Sequence, residues 1–458
     1  MTGHTEEHKE EMREENGEFS EETRKKAILV GARFASVQTE ADASAFRTGM
    51  AELKGLADAC GYETADVITQ NIDAPDAATC IGSGKVQEIR NFAAEMHCGT
   101  VIFNNTLSPS QLANLSDRLD TEVLDRTSLI LEIFGQRARS AEARMQVEYA
   151  KLQYMLPRLV GLRKNLSRQG GAGGSKSSKG AGEQQIELDR RRIEKRMSQL
   201  RHSLKEVEQS RSTQRKKRRG SGLPVVSLVG YTNAGKSTLL NAMIRKYSPD
   251  DEKLVLEKDM LFATLDTTIR RISPDDRHDF LLADTVGFIS DLPHDLVDAF
   301  RSTLEEARLA DLILEVVDYS DENHEMQMDV TRKTLSELGI KDVPIIYVMN
   351  KSDLCTPRLP LPVIQQNPHG DWIFMSASEG TGLDELTKLI GEKLFGKNIL
   401  CGLLIPYTAG NIAEELHRST RIRQEEYRED GIFIKTEIPE NLLYRFSGYR
   451  INDSETEA

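Results

Sequence analysis

The sequence predicts an α/β multidomain chain, and three observations carry that expectation. Short apolar runs rich in Val, Ile and Leu alternate with stretches of helical periodicity, near the N-terminus and again in the second half. Between those halves lies a long, basic, helical stretch interrupted by a Gly/Ser/Lys-rich loop. One apolar run, Leu223 to Val229, leads directly into a glycine-rich turn and then a helical pattern. Strands alternating with helices imply parallel sheets covered by helices.

The turn reads Gly230, Tyr231, Thr232, Asn233, Ala234, Gly235, Lys236, Ser237, a phosphate-binding loop of the form GxxxxGK[ST]. Its glycines let backbone N–H groups close around phosphate oxygens, and the helix starting at Lys236 aims its positive dipole end at them. Leu239, Leu240, Met243 and Ile244 are spaced for one buried face of that helix. Lys236 is expected to reach the β and γ phosphates, and the Ser237 hydroxyl to ligate Mg²⁺. The alternative is a chance glycine turn; the strand before it and the helix after it argue against that.

Further segments supply the rest of a nucleotide site in order. Leu281 to Gly287 (LLADTVG) reads as a strand delivering Asp284, whose carboxylate can hold a Mg²⁺-bound water. Thr285 and Val286 follow, and the Gly287 N–H can meet the γ-phosphate. Val343 to Met349 is another buried strand, ending at Asn350, Lys351, Ser352 and Asp353. Asp353 would accept from the guanine N1–H and exocyclic amine, a donor pair adenine lacks, so it selects guanine. The Lys351 stem can lie over the base. Ser376, Ala377 and Ser378 follow a strand at Trp372 to Met375 and can close over guanine O6. In this order, on strand ends, the set predicts GTP and GDP as ligands at the carboxyl edge of a parallel sheet.

Leu261 to Thr268 (LFATLDTT) is the expected switch segment, with Phe262, Ala263, Thr264, Leu265 and Asp266 as candidate nucleotide contacts. Thr264 is the expected second Mg²⁺ ligand and Thr267 the alternative. Phe288 stands where Ras-like proteins place a water-orienting Gln, so no catalytic side chain is assigned. Hydrolysis is expected to be slow until a partner supplies the missing group. Asn233 has two readings: a residue that helps hold K⁺ beside the phosphates, or a loop stabiliser.

Length suits about two to four domains. No run of about 18 apolar residues occurs and no signal-like N-terminus, so a soluble, cytoplasmic protein without a membrane span is expected, and a monomer. The five cysteines are scattered without CxxC spacing, which suggests neither a disulfide framework nor a zinc site. Net charge is −13, but Arg158 to Arg219 carries 19 Lys or Arg against 6 Asp or Glu, a local +13 that leaves −26 on the rest. Such asymmetry points to a basic arm meeting a polyanion, with a solvated helix face as the alternative.

Residues 1–24 read as a disordered acidic tail and 25–135 as an N-terminal α/β domain, with strands at Ala27 to Phe34, Thr64 to Ile68, Thr100 to Phe103 and Glu122 to Leu124. Within it, Gly82 to Lys85 is a glycine-capped turn before a helix, or an anion site for a second nucleotide. Residues 136–219 form a basic helical hairpin around a mobile loop at 169–182. Its RNA-binding candidates are Arg137, Arg139, Arg163, Lys164, Arg168, Lys176, Lys179, Arg190, Arg191 and Arg192. Residues 223–396 form a P-loop GTPase (G) domain, 399–450 a small C-terminal α+β domain with a hairpin at Asp430-Gly431, and 451–458 an acidic tail.

The chain resembles the HflX family of the Obg–HflX group of translational GTPases. The resemblance rests on GYTNAGKST, LFATLDTT, DTVGFISDLPHDL, AFRSTLEEA, DRTSLILEIFGQRARS and GEQQIELDRRRI, and covers nearly the whole chain. It implies a GTPase that binds the large (50S) ribosomal subunit and its RNA and separates stalled or stressed ribosomes into subunits. It also implies nucleotide binding, including ATP, by the N-terminal domain. The family's loop ends near RGPGETQLE, whereas this chain has KGAGEQQIE at Lys179 to Glu187, which alters the tip that would meet RNA. The reading from another class is a GTP-regulated scaffold that binds a protein through its helical arm.

Overall fold

The computed structural model describes residues 25–34, 40–159, 177–219, 223–248, 262, 268–274, 279–290, 306–340, 343–355, 361–367, 370–396 and 398–451. These residues form two compact units. The first holds the described residues up to Ser210 together with Phe262 and Ser290; the second holds the others. Among the described residues no helix is long and apolar enough to cross a membrane.

The first unit opens with β1 (Lys25–Phe34), α1 (Glu40–Ala59), β2 (Tyr62–Ile72), α2 (Ser83–Glu95), β3 (Thr100–Phe103), α3 (Pro109–Leu119) and β4 (Glu122–Asp125). The strands form a four-stranded sheet of order β2-β1-β3-β4, with all neighbours parallel. Ile28, Val30, Val101, Phe103 and Val123 point from it into one core with Ile81, Val86, Ile89 and Leu115. Helix α3 lies outside the elements expected from periodicity. Its start is set by a capping box: Ser108 Oγ accepts from the Gln111 N–H, and the Gln111 side chain accepts from the Ser108 N–H.

Helix α4 (Arg126–Arg137) follows β4 without a loop, because Asp125 caps it. The Asp125 carboxylate accepts from the Ser128 N–H at 2.8 Å and from the Tyr154 hydroxyl at 2.7 Å. The Arg158 guanidinium lies 3.5 Å over the Tyr154 ring. The end of α5 (Ala141–Met155) is thereby pinned to the strand end. Helix α6 (Ser177–Arg219) begins inside the stretch 169–182 expected to be a loop, so residues 177–182 are helical. Its Met197 and Leu200 are buried, and Arg196 forms a two-point pair with Glu148 of α5 at 2.6 and 2.8 Å.

The second unit contains β5 (Val225–Val229), α7 (Lys236–Tyr247), β6 (Thr268–Ile272), β7 (Phe280–Asp284), β8 (Leu312–Asp318), α8 (His324–Glu337), β9 (Ile345–Asn350), β10 (Val363–Asn367), β11 (Gly370–Phe374) and α9 (Leu383–Phe395). Its seven-stranded sheet runs β10-β11-β9-β8-β5-β7-β6, with antiparallel strands only at the two edges. Leu312, Leu314 and Val316 of β8 pack with Leu239, Met243, Leu386 and Ile390 on one face, while Val317 packs with Met328, Tyr347 and Phe374 on the other. A strand covered on both faces reads as a nearly unbroken apolar run. The chain continues through β12 (Asn398–Ile405), α10 (Gly410–Ser419), β13 (Arg421–Arg428) and β14 (Gly431–Pro439), an antiparallel sheet of order β12-β14-β13 with the expected hairpin at Asp430-Gly431.

Glu315 breaks the apolar run of β8, yet it is only 1 % exposed and one carboxylate oxygen has no partner. Burial pushes its carboxyl up to about 8, against the opposing pull of Arg332. The folded-state value lies above the unfolded one of 4.5, so the unfolded chain releases the proton first. Stability from this group is full below 4.5 and is lost as pH rises toward about 8. Glu315→Gln should therefore gain about 3 kcal/mol at pH 7 relative to its effect at pH 4.5. Denaturant midpoints at both pH values would check this; an equal effect at both would contradict it.

Candidate nucleotide site

The phosphate loop is shaped by two glycines that no other residue can replace. Gly230 has φ 139°, and a Cβ there would lie 2.2 Å from the Val316 carbonyl oxygen; Gly235 has φ 94°, and a Cβ would lie 2.2 Å from Asn350 Nδ2. Lys236 is 7 % exposed and donates from Nζ to the carbonyls of Gly230 (3.0 Å) and Tyr231 (2.6 Å). Burial lowers its pKa to about 8, with the Asp284 carboxylate opposing the fall. The Ser237 hydroxyl donates to Asp284 Oδ2 at 3.0 Å. Asp284 is fully buried at the end of β7. A hydroxyl and a carboxylate side by side are hard oxygen donors, and they fit Mg²⁺.

The segment after Asp284 is tied to the loop through backbone. Thr285 Oγ1 donates to the Leu228 carbonyl at 2.6 Å. The Phe288 N–H donates to the Gly230 carbonyl at 3.1 Å, and the Thr232 N–H donates to the Phe288 carbonyl at 2.8 Å. This pairing is a short parallel bridge between Tyr231 and Phe288. Gly287 has no room for a side chain, since a Cβ would sit 2.9 Å from Thr232 Cα and 3.0 Å from Lys236 Nζ. Tyr231, Val286 and Phe288 are buried.

Asn350 joins the two ends of the site. Its Nδ2 donates to the Ala234 carbonyl and its Oδ1 accepts from the Ala377 N–H, both at 2.9 Å. Lys351, in a left-handed conformation with φ 59°, pairs with Asp318 at 2.7 Å. The Ser352 hydroxyl donates to the Met349 carbonyl at 2.7 Å, fixing the turn that presents Asp353. Asp353 Oδ1 is a buried acceptor without a partner. Ser376 and Ser378 hydroxyls lie 3.1 Å apart, and Ser376 exchanges backbone hydrogen bonds with Thr381. Asn233 is exposed, with φ 63°.

In the expected switch segment, Ala263, Thr264, Leu265, Asp266 and Thr267 lie outside the described residues, and Phe262 is described. The Phe262 ring is buried edge-on against Phe134, with centroids 4.7 Å apart. Arg126, also buried, donates to the Ser290 carbonyl at 3.1 Å and to Asn104 Oδ1 at 2.9 Å, and pairs with Glu52. Arg126 and Phe134 both lie in the DRTSLILEIFGQRARS segment, which gave neither of them a role.

Of the arm candidates, Arg163, Lys164, Arg168 and Lys176 lie outside the described residues, and Lys179 is described only as helical backbone. Arg190, Arg191 and Arg192 are exposed on α6 and pair with Glu194, Glu187 and Asp189 within the helix. Arg139 is exposed; Arg137 is half-buried, and burial lowers its pKa. At the Gly82 turn the reading as a glycine-capped loop fits best, because Gln70 Oε1 already accepts from the Gly82 N–H (3.0 Å) and Lys85 pairs with Glu88.

Three sequence families match in order: GTP-binding GTPase N-terminal over residues 47–135, GTP-binding GTPase Middle Region over 137–218, and 50S ribosome-binding GTPase over 225–351. GTPase HflX of Caldanaerobacter subterraneus subsp. tengcongensis is 40 % identical over 401 residues, which is 88 % of this chain and 90 % of the relative. GTPase HflX of Escherichia coli K12 is 38 % identical over 380 residues, 83 % of this chain and 87 % of the relative. This chain belongs to the HflX family of GTPases. It binds guanine nucleotide and hydrolyses GTP. A solved GTP-binding protein from Sulfolobus solfataricus with GDP aligns over 81 % of this chain and 98 % of its own, at 23 % identity and a TM-score of 0.41.

Asn350 is the bond between the phosphate and base ends of this HflX-family site. Asn350→Ala removes both of its hydrogen bonds and strands the Ala377 N–H and the Ala234 carbonyl. The expected cost is about 2–3 kcal/mol of stability. GDP and GTP affinity should fall together, read by calorimetry; unchanged affinity for both would contradict the assignment.

Proposed function

We propose that this HflX-family GTPase binds the large ribosomal subunit and couples GTP binding and hydrolysis to ribosome remodelling, splitting stalled or stressed ribosomes into subunits. The observation that carries the reading is the gap in the catalytic set. Phe288 is buried and apolar where a water-orienting side chain would stand, while Lys236, Ser237 and Asp284 are already gathered. A site with its phosphate-handling groups assembled but no water-orienting group at that position suits activation by a partner. Ser237 would hold Mg²⁺ directly and Asp284 through a bound water, with Thr264 as the proposed further ligand, and the ion would neutralise charge on the β and γ phosphates.

What supports a ribosomal partner is the basic arm and the matched 50S ribosome-binding GTPase family. The exposed pairs made by Arg190, Arg191 and Arg192 are worth roughly 0–1 kcal/mol each. They can therefore be exchanged for phosphate contacts at small cost. A scaffold reading would need a free apolar stripe on α6, but Met197 and Leu200 are already buried within the first unit. Asp353, with its unpartnered buried oxygen, is the proposed guanine reader, and Asn350, Lys351 and residues 376–378 complete that end.

GTP turnover should rise sharply when 50S subunits are added, and the stimulation should fade as salt is raised, because phosphate contacts release counterions. Turnover measured with and without 50S subunits at two salt concentrations checks this; stimulation indifferent to salt would point to a protein contact instead. Asp353→Asn should shift preference from GTP to XTP, since the hydrogen-bond pattern inverts; retained GTP preference in competition binding would sink the guanine assignment. For Asn233, faster turnover in K⁺ than in Na⁺ is the result expected of a K⁺ ligand, and equal turnover assigns it to loop structure.

A further inference from the structure

We infer that the Thr232 hydroxyl is the group on this chain that orients the attacking water, in the place left open by Phe288. The inference rests on the GTPase reading of the site and deepens it. Thr232 is the third residue of the phosphate loop, 6 % exposed, and its Oγ1 is buried without a hydrogen-bond partner. Burying a hydroxyl unpaired destabilises a fold, so such a group at a catalytic loop calls for a ligand. Its neighbours in the loop have structural work: Lys236 bonds two loop carbonyls, Ser237 bonds Asp284, and Ala234 is tied to Asn350.

The position is the relevant one. Thr232 Cα and Cγ2 each lie 2.9 Å from where a Gly287 side chain would begin, and Lys236 Nζ lies 3.0 Å from the same point. The residue that would have carried a Gln is linked to Thr232 directly, because the Phe288 carbonyl accepts the Thr232 N–H. On this proposal the segment 287–288, whose backbone leaves no room for a side chain beside Thr232 and Lys236, shifts to admit a γ-phosphate. That movement breaks the Thr232–Phe288 bond and frees the Thr232 N–H, and rotation about χ1 exchanges the Thr232 methyl, which now faces Gly287, for the hydroxyl. The hydroxyl then accepts from the water and turns its lone pair toward phosphorus. The water oxygen forms the new P–O bond as the bond from γ-phosphorus to the β–γ bridging oxygen breaks. GDP leaves with that electron pair, and both water protons end on the released phosphate as dihydrogen phosphate.

The test compares full-length wild type, Thr232→Val and Thr232→Ser for GTP turnover with 50S subunits, GTP KM, GDP affinity and thermal unfolding. Val keeps the shape and deletes the hydroxyl; Ser restores it. The expected result is a kcat for Thr232→Val lower by at least about tenfold, the scale of one lost transition-state hydrogen bond. GTP KM and GDP affinity should stay within about twofold, Tm should be equal or higher, and Ser should recover most of kcat. Wild-type kcat in the Val variant, or loss of kcat only alongside lowered Tm, overturns the inference. Failure of wild type to bind GTP at all would overturn the GTPase reading together with it, and that outcome is distinguishable because it precedes any variant.

Discussion

The site depends on one carboxamide. Asn350 sits at the end of β9, donates to the phosphate loop at Ala234 and accepts from the base-side loop at Ala377. On the proposed assignment, phosphate and base are held by separate segments of chain, and this residue sets the spacing of those segments. It also explains why Gly235 must be glycine: the approach that makes the hydrogen bond leaves no space for a side chain beneath it. A neutral–neutral hydrogen bond is worth about 1 kcal/mol net. The two together are small beside the apolar burial around β8, but burial has no direction. It holds the sheet, while the carboxamide fixes which atoms of the two loops face the ligand.

Charge is divided along the chain in a way that serves the same end. The basic arm carries +13 and the remainder −26, so long-range attraction to a polyanion acts on the arm and repulsion on the rest. Short-range pairs moderate this. Arg196 is committed to Glu148, and Arg190, Arg191 and Arg192 have acids one turn away on the same helix. Such pairs keep a strongly charged helix from repelling itself in water, and they are weak enough to be replaced. Arg126 belongs to another class. It is buried with Glu52 and reaches the Ser290 carbonyl, so its charge serves structure within the first unit.

The phosphate loop, Asp284 and the Asn350–Asp353 run were legible in the sequence because each is a local pattern dictated by backbone geometry. A glycine at positive φ, a strand ending in an acid and a helix opening at Lys236 are adjacent in the chain. Four of the strands around the site were found within a few residues for the same reason. Helix α3 was missed although its capping box at Ser108 and Gln111 and its stripe of Leu112, Leu115 and Leu119 are both local patterns. The loop expected through residue 182 ends at Ser177, because the glycines at 180 and 182 are carried by a helix of 43 residues. Arg126–Ser290 and Phe134–Phe262 were beyond reach, since partners more than a hundred residues apart leave no local signature.

The pairing of Phe288 with the phosphate loop gives the buried phenylalanine a physical meaning. A glutamine at this position could stay solvated and swing over the phosphates. Phe288 instead buries its ring and fixes its peptide, and two backbone hydrogen bonds, to Gly230 and from Thr232, hold the segment down. Holding the segment there costs the loop one N–H donor that would otherwise face phosphate. On the proposed site assignment, the γ-phosphate of GTP competes with those bonds and the diphosphate of GDP does not. On the proposed reading, GTP and GDP are told apart where backbone bonds tie Phe288 to Gly230 and Thr232.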